Sequence, residues 1–162
     1  MEYSPIPKPL CGILLPAMKN KTSLIVFFQK LFLLLFLITG PLIAKNIYLL
    51  LVELAAIALG AWAVILMVRR SKFRVDPEPA LNAHLLDTGP YKYIRNPMYS
   101  AIILGFGALL VDSYSPLRLV IYILVIAIHL AKISIEEKLL PEKFKDYAAY
   151  KSRTRRLIPF IY

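Results

Sequence analysis

The sequence predicts an all-α fold: a multi-spanning transmembrane helical bundle of about four spans, with a C-terminal cytoplasmic amphipathic segment. Three observations carry this. Of 162 residues, 59% are hydrophobic, against about 45–50% in an ordinary soluble domain. The apolar residues gather in runs near the roughly 20 residues a spanning helix needs. The charge, 20 Lys+Arg against 10 Asp+Glu for a net +10, collects between those runs and on one side of them. A water-soluble core of this size needs far less apolar surface. The hydrophobicity excludes disorder, and the single cysteine, Cys11, excludes a disulfide scaffold.

The elements follow in chain order, within one membrane domain over 1–162. Residues 1–23 are expected to form an interfacial segment, since the apolar stretch Pro9 to Met18 is short and bounded by prolines. Residues 24–68 read as a first helical hairpin. One span runs from about Leu24 to Ala44, and a second runs from Ile47 to Val68, interrupted only by Glu53. Residues 69–96 form a polar loop. Residues 97–135 read as a second hairpin, with spans from Pro97 to Val111 and from Pro116 to about Ile135, joined by Asp112-Ser113-Tyr114-Ser115. Residues 136–162 form the polar C-terminal segment, with an amphipathic stretch from Pro141 to Arg153. Gly105-Phe106-Gly107 lies inside a span and reads as a close-packing spot, not a nucleotide loop. The proline-rich start lacks a basic n-region, so no cleaved signal peptide is expected, and no lipidation motif stands out.

With four spans, Lys8, Lys19 and Lys21, the six basic residues from Arg69 to Arg95, and the seven from Lys138 to Arg156 share one side. Only Lys45 and Arg118 fall on the other. The positive-inside rule then predicts a multi-pass protein with both termini cytoplasmic, in a membrane expected to be a prokaryotic plasma membrane. The same asymmetry explains the basic residues as anchors among membrane lipids, and no nucleic-acid-binding motif is present. With one cysteine and two histidines, no metal site is expected.

Chemistry is expected on the cytoplasmic face. Asn96-Pro97 is a helix start, and Thr88-Gly89-Pro90 before it is a turn. The N-terminal end of the third span would then face the loop with free N–H groups, a seat for an anion such as a ligand carboxylate. The alternative is that Arg95 and its neighbouring tyrosines only anchor the helix at the headgroups. On the fourth span His129, Lys132 and Glu136 share one face at spacings of three and four. Polar side chains on a spanning helix turn to the bundle interior or a wet cavity. Glu136 and Glu137 near a helix C-terminus oppose the macrodipole, so capping does not explain them. Tyr147 and Tyr150 fit a membrane-surface helix. Glu53 and Lys30 are intramembrane charges with no evident partners.

Together, Thr88-Gly89-Pro90-Tyr91, Arg95-Asn96-Pro97-Met98-Tyr99, an apolar hairpin, Glu136-Glu137, Tyr147-Ala148-Ala149-Tyr150 and Arg156-Leu157-Ile158-Pro159 resemble the isoprenylcysteine carboxyl methyltransferase family and its relatives, the phospholipid methyltransferases. The resemblance covers 83–159. It implies an integral-membrane methyltransferase using S-adenosylmethionine, with 69–96 as its cofactor-binding loop. It implies cofactor contacts from Ala83, His84, Leu85, Leu86, Tyr91, Asn96, Pro97, Met98, Tyr99 and Glu136, and an acceptor contact from Lys132. Arg95, suited to the cofactor carboxylate, and Glu137, a candidate base, are the expected catalytic residues. His129, the other candidate base, is expected on the substrate side.

Asn96 stands where the eukaryotic motif has histidine, and Lys132 stands where arginine is usual. Lysine lacks the two-pronged grip on a carboxylate. The segment from Phe144 to Tyr147 is one residue shorter than usual and lacks the common Phe-Gly pair. The expected acceptor is lipophilic, an isoprenylcysteine-type carboxylate or a lipid amine, and the sequence does not fix the oligomeric state. The alternatives are an NADPH-dependent membrane reductase of the sterol-reductase type and a non-enzymatic membrane scaffold.

Overall fold

A computed structural model describes residues 8–71 and 85–158. Their order is α1 (Lys8–Ile38), α2 (Ile47–Leu66), a π-turn (Met67–Ser71), a 3₁₀ turn (Gly89–Lys92), α3 (Pro97–Asp112), α4 (Pro116–Lys143) and α5 (Tyr147–Arg153). The described residues hold no strand, only an isolated parallel bridge between Ile94 and Arg155.

Local chemistry explains the boundaries. The Asn46 side chain accepts the Tyr48 N–H at 2.9 Å and starts α2. The Ser115 hydroxyl accepts the Arg118 N–H at 3.2 Å, and Pro116 follows in the first turn of α4. Ile47–Arg69 and Pro116–Pro141 are long and apolar enough to cross a membrane, and few of their residues are buried. Thr22–Ile38 and Pro97–Asp112 are apolar but shorter. Leu51, Leu54, Ile57, Ile65, Val120 and Ile123 are exposed, a surface that suits lipid and not water.

The main helix pairs are α2 with α3 and α1 with α4, with α3 also against α4. Small residues make the first seam. A Cβ on Gly60 would stand 3.3 Å from Ala101 Cβ, and one on Gly105 would stand 3.4 Å from Ala56 Cβ. The close-packing expectation for Gly105 therefore holds. Gly107 leaves room for the Tyr122 hydroxyl, which donates to the Ile103 carbonyl at 2.8 Å. Phe36 and Val125 are fully buried, and with Leu109, Leu110 and Ile121 they form the core between α1, α3 and α4.

Several boundaries differ from expectation. The separate interfacial segment over 1–23 is replaced from Lys8 onward by one continuous helix of 31 residues. The first span ends at Ile38 rather than Ala44, where Gly40-Pro41 breaks it. Residues of the following loop are tied down by carboxylates. Glu53 accepts the Ala44 N–H at 3.0 Å, and Asp112 accepts the N–H groups of Lys45 and Asn46 at 3.0 and 2.8 Å. Glu53 is thus a buried tie for that loop, while Lys30 is exposed. α4 continues eight residues beyond Ile135 because the acidic residues that should weaken its end are paired. The Pro141–Arg153 segment divides there: Pro141 lies in α4, and only Tyr147–Arg153 forms α5. Finally, α1 pairs chiefly with α4 and not with its sequence neighbour α2.

Candidate functional site

The site is assembled where the start of α3, the last turns of α4 and the C-terminal strap meet. The strap runs alongside residues 93–96. Arg95 N–H donates to the Arg155 carbonyl at 2.7 Å, and Arg155 N–H donates to the Tyr93 carbonyl at 3.0 Å. Asn96 donates to the Arg156 carbonyl through both its backbone and its side-chain nitrogen, each at 3.2 Å. Ser100 Oγ donates to the Leu157 carbonyl at 2.6 Å.

This changes the reading of the α3 start. The Asn96 side chain caps no N–H of its own helix. The Tyr99 and Ser100 amides turn back to the Asn96 carbonyl, and Pro97 has no N–H. The strap occupies the helix mouth, so it is not the open anion seat the sequence suggests.

Arg95 and Glu137 are brought together, but as a frame. Arg95 Nε donates to Glu137 Oε1 at 2.8 Å, and Arg156 Nη2 donates to Oε2 at 2.9 Å. Arg95 Nη1 also donates to the Thr154 carbonyl. The Glu137 side chain is only 5% exposed, and both of its oxygens are engaged by cations. A carboxylate held between two guanidinium groups is a poor proton acceptor, so the geometry does not suit Glu137 to the role of base. Arg95 is drawn toward Glu137 and the strap. This lock joins α3, α4 and the strap, and Arg156 and Thr154 in it carry a role that spacing alone does not reveal. The Arg156-Leu157 motif is the one sequence signal that pointed there.

One turn deeper lies a second polar group. Tyr99 hydroxyl donates to Glu136 at 3.1 Å, and Lys132 Nζ sits 3.6 Å from Glu136 and 5.5 Å from the centre of the Tyr99 ring. The Glu136 side chain keeps 42% of its surface exposed, so it is supported but open. The edge of Tyr99 meets His129 with ring centres 5.2 Å apart. His129 is fully buried, with Nδ1 2.7 Å from the Val125 carbonyl and Nε2 3.3 Å from Gln29 Nε2. The expected face of His129, Lys132 and Glu136 is therefore real. Gln29, from α1, joins it, and its one signal in the sequence is a polar side chain inside an apolar run.

The 3₁₀ turn forms the outer wall. Gly89 has φ +59°, and a Cβ there would come within 2.4 Å of Leu66 Cδ1 and 3.3 Å of the Trp62 ring. Glycine thus lets the turn lie directly on α2. Tyr150 hydroxyl donates to the Tyr91 carbonyl at 2.8 Å. Tyr147 and Tyr150 are buried, so α5 turns them into the protein rather than onto a membrane surface. Burial pushes the Tyr91 phenol up to about 12, which keeps it a neutral aromatic wall. Burial likewise raises Tyr147, with the Glu137 charge adding to it, and raises Tyr150. Leu85, Leu86 and Met98 are half-buried and Pro97 is buried. Ala83 and His84 lie outside the described residues. No cluster of metal-binding side chains occurs among the described residues.

A family model of phospholipid methyltransferases matches residues 48–147. The chain belongs to the phospholipid methyltransferase family. The match takes in α2, the turn, α3, α4 and the N-terminal end of α5, and so includes Glu136, Glu137 and the Arg95–Tyr99 motif. It leaves out α1 and the strap. No curated protein and no solved structure matches the chain.

Proposed function

We propose that this phospholipid methyltransferase family member is an integral-membrane enzyme that uses S-adenosylmethionine to methylate a lipophilic acceptor. The observation that carries the reading is Glu136. It is a carboxylate at the mouth of the α3–α4 pair, held by the Tyr99 hydroxyl yet with 42% of its side-chain surface open. A half-open, prepositioned carboxylate suits the ammonium or the ribose hydroxyls of that cofactor. Tyr91, Leu85, Leu86 and Met98 supply an apolar and aromatic wall for its adenine. The cofactor supplies a methyl group on a sulfonium, which needs alignment and a dry site more than acid–base help. The residues of this chain therefore chiefly bind, orient and exclude water.

In this reading the two polar tiers divide the work. Arg95, Glu137 and Arg156 fix α3 and α4 against the strap, while Glu136 and Tyr99 hold the cofactor. Lys132 and His129 lie deeper, on the acceptor side. His129 Nδ1 faces a carbonyl at 2.7 Å, so Nδ1 carries the proton and Nε2 the lone pair. That lone pair faces the Gln29 amide at 3.3 Å, so His129 orients the acceptor side of the site rather than standing free as a base. Four spans with both termini cytoplasmic complete the reading. α1 and α3 join the two long helices across the bilayer, and the acceptor enters sideways from the lipid.

Calorimetric titration of the detergent-purified protein with S-adenosylhomocysteine and with NADPH tests the proposal. Binding of S-adenosylhomocysteine alone is expected. Binding of NADPH alone, or of neither, would overturn it. Glu136→Ala should abolish that binding, while Lys132→Ala should leave it nearly intact and slow acceptor turnover. Equal loss in both variants would refute the division of roles.

A further inference from the structure

The polar tier has an unexplained member. Gln29 sits on α1, outside the matched residues 48–147, and lies against His129 on α4. The orientation of its amide follows from the contacts. His129 Nδ1 donates to the Val125 carbonyl, so Nε2 accepts, and the group facing it must be the Gln29 NH₂. Gln29 Oε1 is then the other end of the amide. It is buried and has no hydrogen-bond donor. A polar residue inside a spanning helix faces an interior partner by default, and a buried oxygen without a donor is costly. Phe28 and Phe32 beside it on α1 are only half-buried. Lys132, on the same face of α4 as His129, is turned toward Glu136 at 3.6 Å.

We infer that Gln29 is a specificity-determining residue: its Oε1, beside the His129 ring, receives a hydrogen bond from a donor-bearing head group, an amine or a hydroxyl, of the lipophilic acceptor. A carboxylate offers no donor to that oxygen and is disfavoured there. The inference rests on the proposed methyl transfer for its catalytic consequence, but the binding site stands on geometry alone.

The test uses the full chain in micelles with three probes of equal chain length: hexadecylamine, hexadecanol and palmitate. The Gln29 side-chain amide, ¹⁵N-labelled and assigned by its loss in Gln29→Leu, should shift with the amine or the alcohol and not with palmitate. Whichever of those two shifts it identifies the donor. In turnover, Gln29→Leu should raise the KM of that probe about tenfold, with S-adenosylhomocysteine affinity and thermal unfolding unchanged. Gln29→Glu, which keeps an acceptor oxygen but loses the N–H facing His129 Nε2, should restore it in part. An equal amide shift with palmitate, no shift with any probe, or a parallel loss of S-adenosylhomocysteine affinity in Gln29→Leu would overturn the inference, the last by revealing a packing role. Absence of S-adenosylhomocysteine binding in the unaltered protein would instead overturn the proposed function and leave the amide shift to decide Gln29.

Discussion

Glu137 and Glu136 are adjacent in sequence and opposite in use. Successive residues on a helix point about 100° apart, so Glu137 reaches Arg95 and Arg156 while Glu136 reaches Tyr99 and Lys132. Glu137 is buried with both oxygens paired, so removing its charge strands two guanidinium groups. Glu137→Gln is expected to cost about 3 kcal/mol, the scale for breaking one side of a buried pair. The check is the unfolding midpoint in micelles. A loss of activity with unchanged stability would show that Glu137 acts on the reaction and not on the frame.

At the scale of elements, the seam between α2 and α3 depends on small side chains. In lipid, close packing rather than hydrophobic transfer holds helices together. Gly105→Ala adds a methyl at ordinary contact distance from Ala56 and should be tolerated. Gly105→Leu overfills the seam and should cost roughly 2 kcal/mol, measured by thermal unfolding of both variants side by side. The loop from α1 to α2 depends on charge. The N–H groups of Asn46 and Lys45 hold the Asp112 carboxyl below the usual carboxylate range. A carboxyl whose pKa is lowered by folding stabilises the fold above its unfolded value, about 3.9. That contribution is lost as pH falls through the lower folded value. The melting temperature should therefore drop more steeply below about pH 4 in the parent protein than in Asp112→Asn. Parallel curves would show that the clasp contributes nothing.

Across the whole molecule, most of the described basic residues that flank the helices fall at the end of the bundle that carries the site. The polar tiers, the 3₁₀ turn and the strap all lie at the end of the bundle where the positive charge concentrates. The loop between α3 and α4 lies at the other end, with Tyr114 exposed. In spheroplasts of a strain expressing the Cys11→Ser chain, a cysteine introduced as Tyr114→Cys should react with an impermeant maleimide from outside. One introduced as Ser152→Cys should react only after permeabilisation. The reverse pattern would invert the topology.

The sequence by itself determined the helical class, the family resemblance and the starts of α2, α3 and α4. These depend on local signals: apolar runs and Asn96-Pro97. It also placed His129, Lys132 and Glu136 on one face, because helical spacing is local geometry. Only the tertiary structure decided what those residues touch. Arg95 meets Glu137 across 42 positions, Gln29 meets His129 across 100, and Asn96 meets the strap across 60. No periodicity encodes pairings that distant. They depend on which helices pack together, and here α1 lies on α4 and the strap on α3. That packing turned an apparent anion seat at Asn96 into a closed joint and left Glu136 as the open carboxylate.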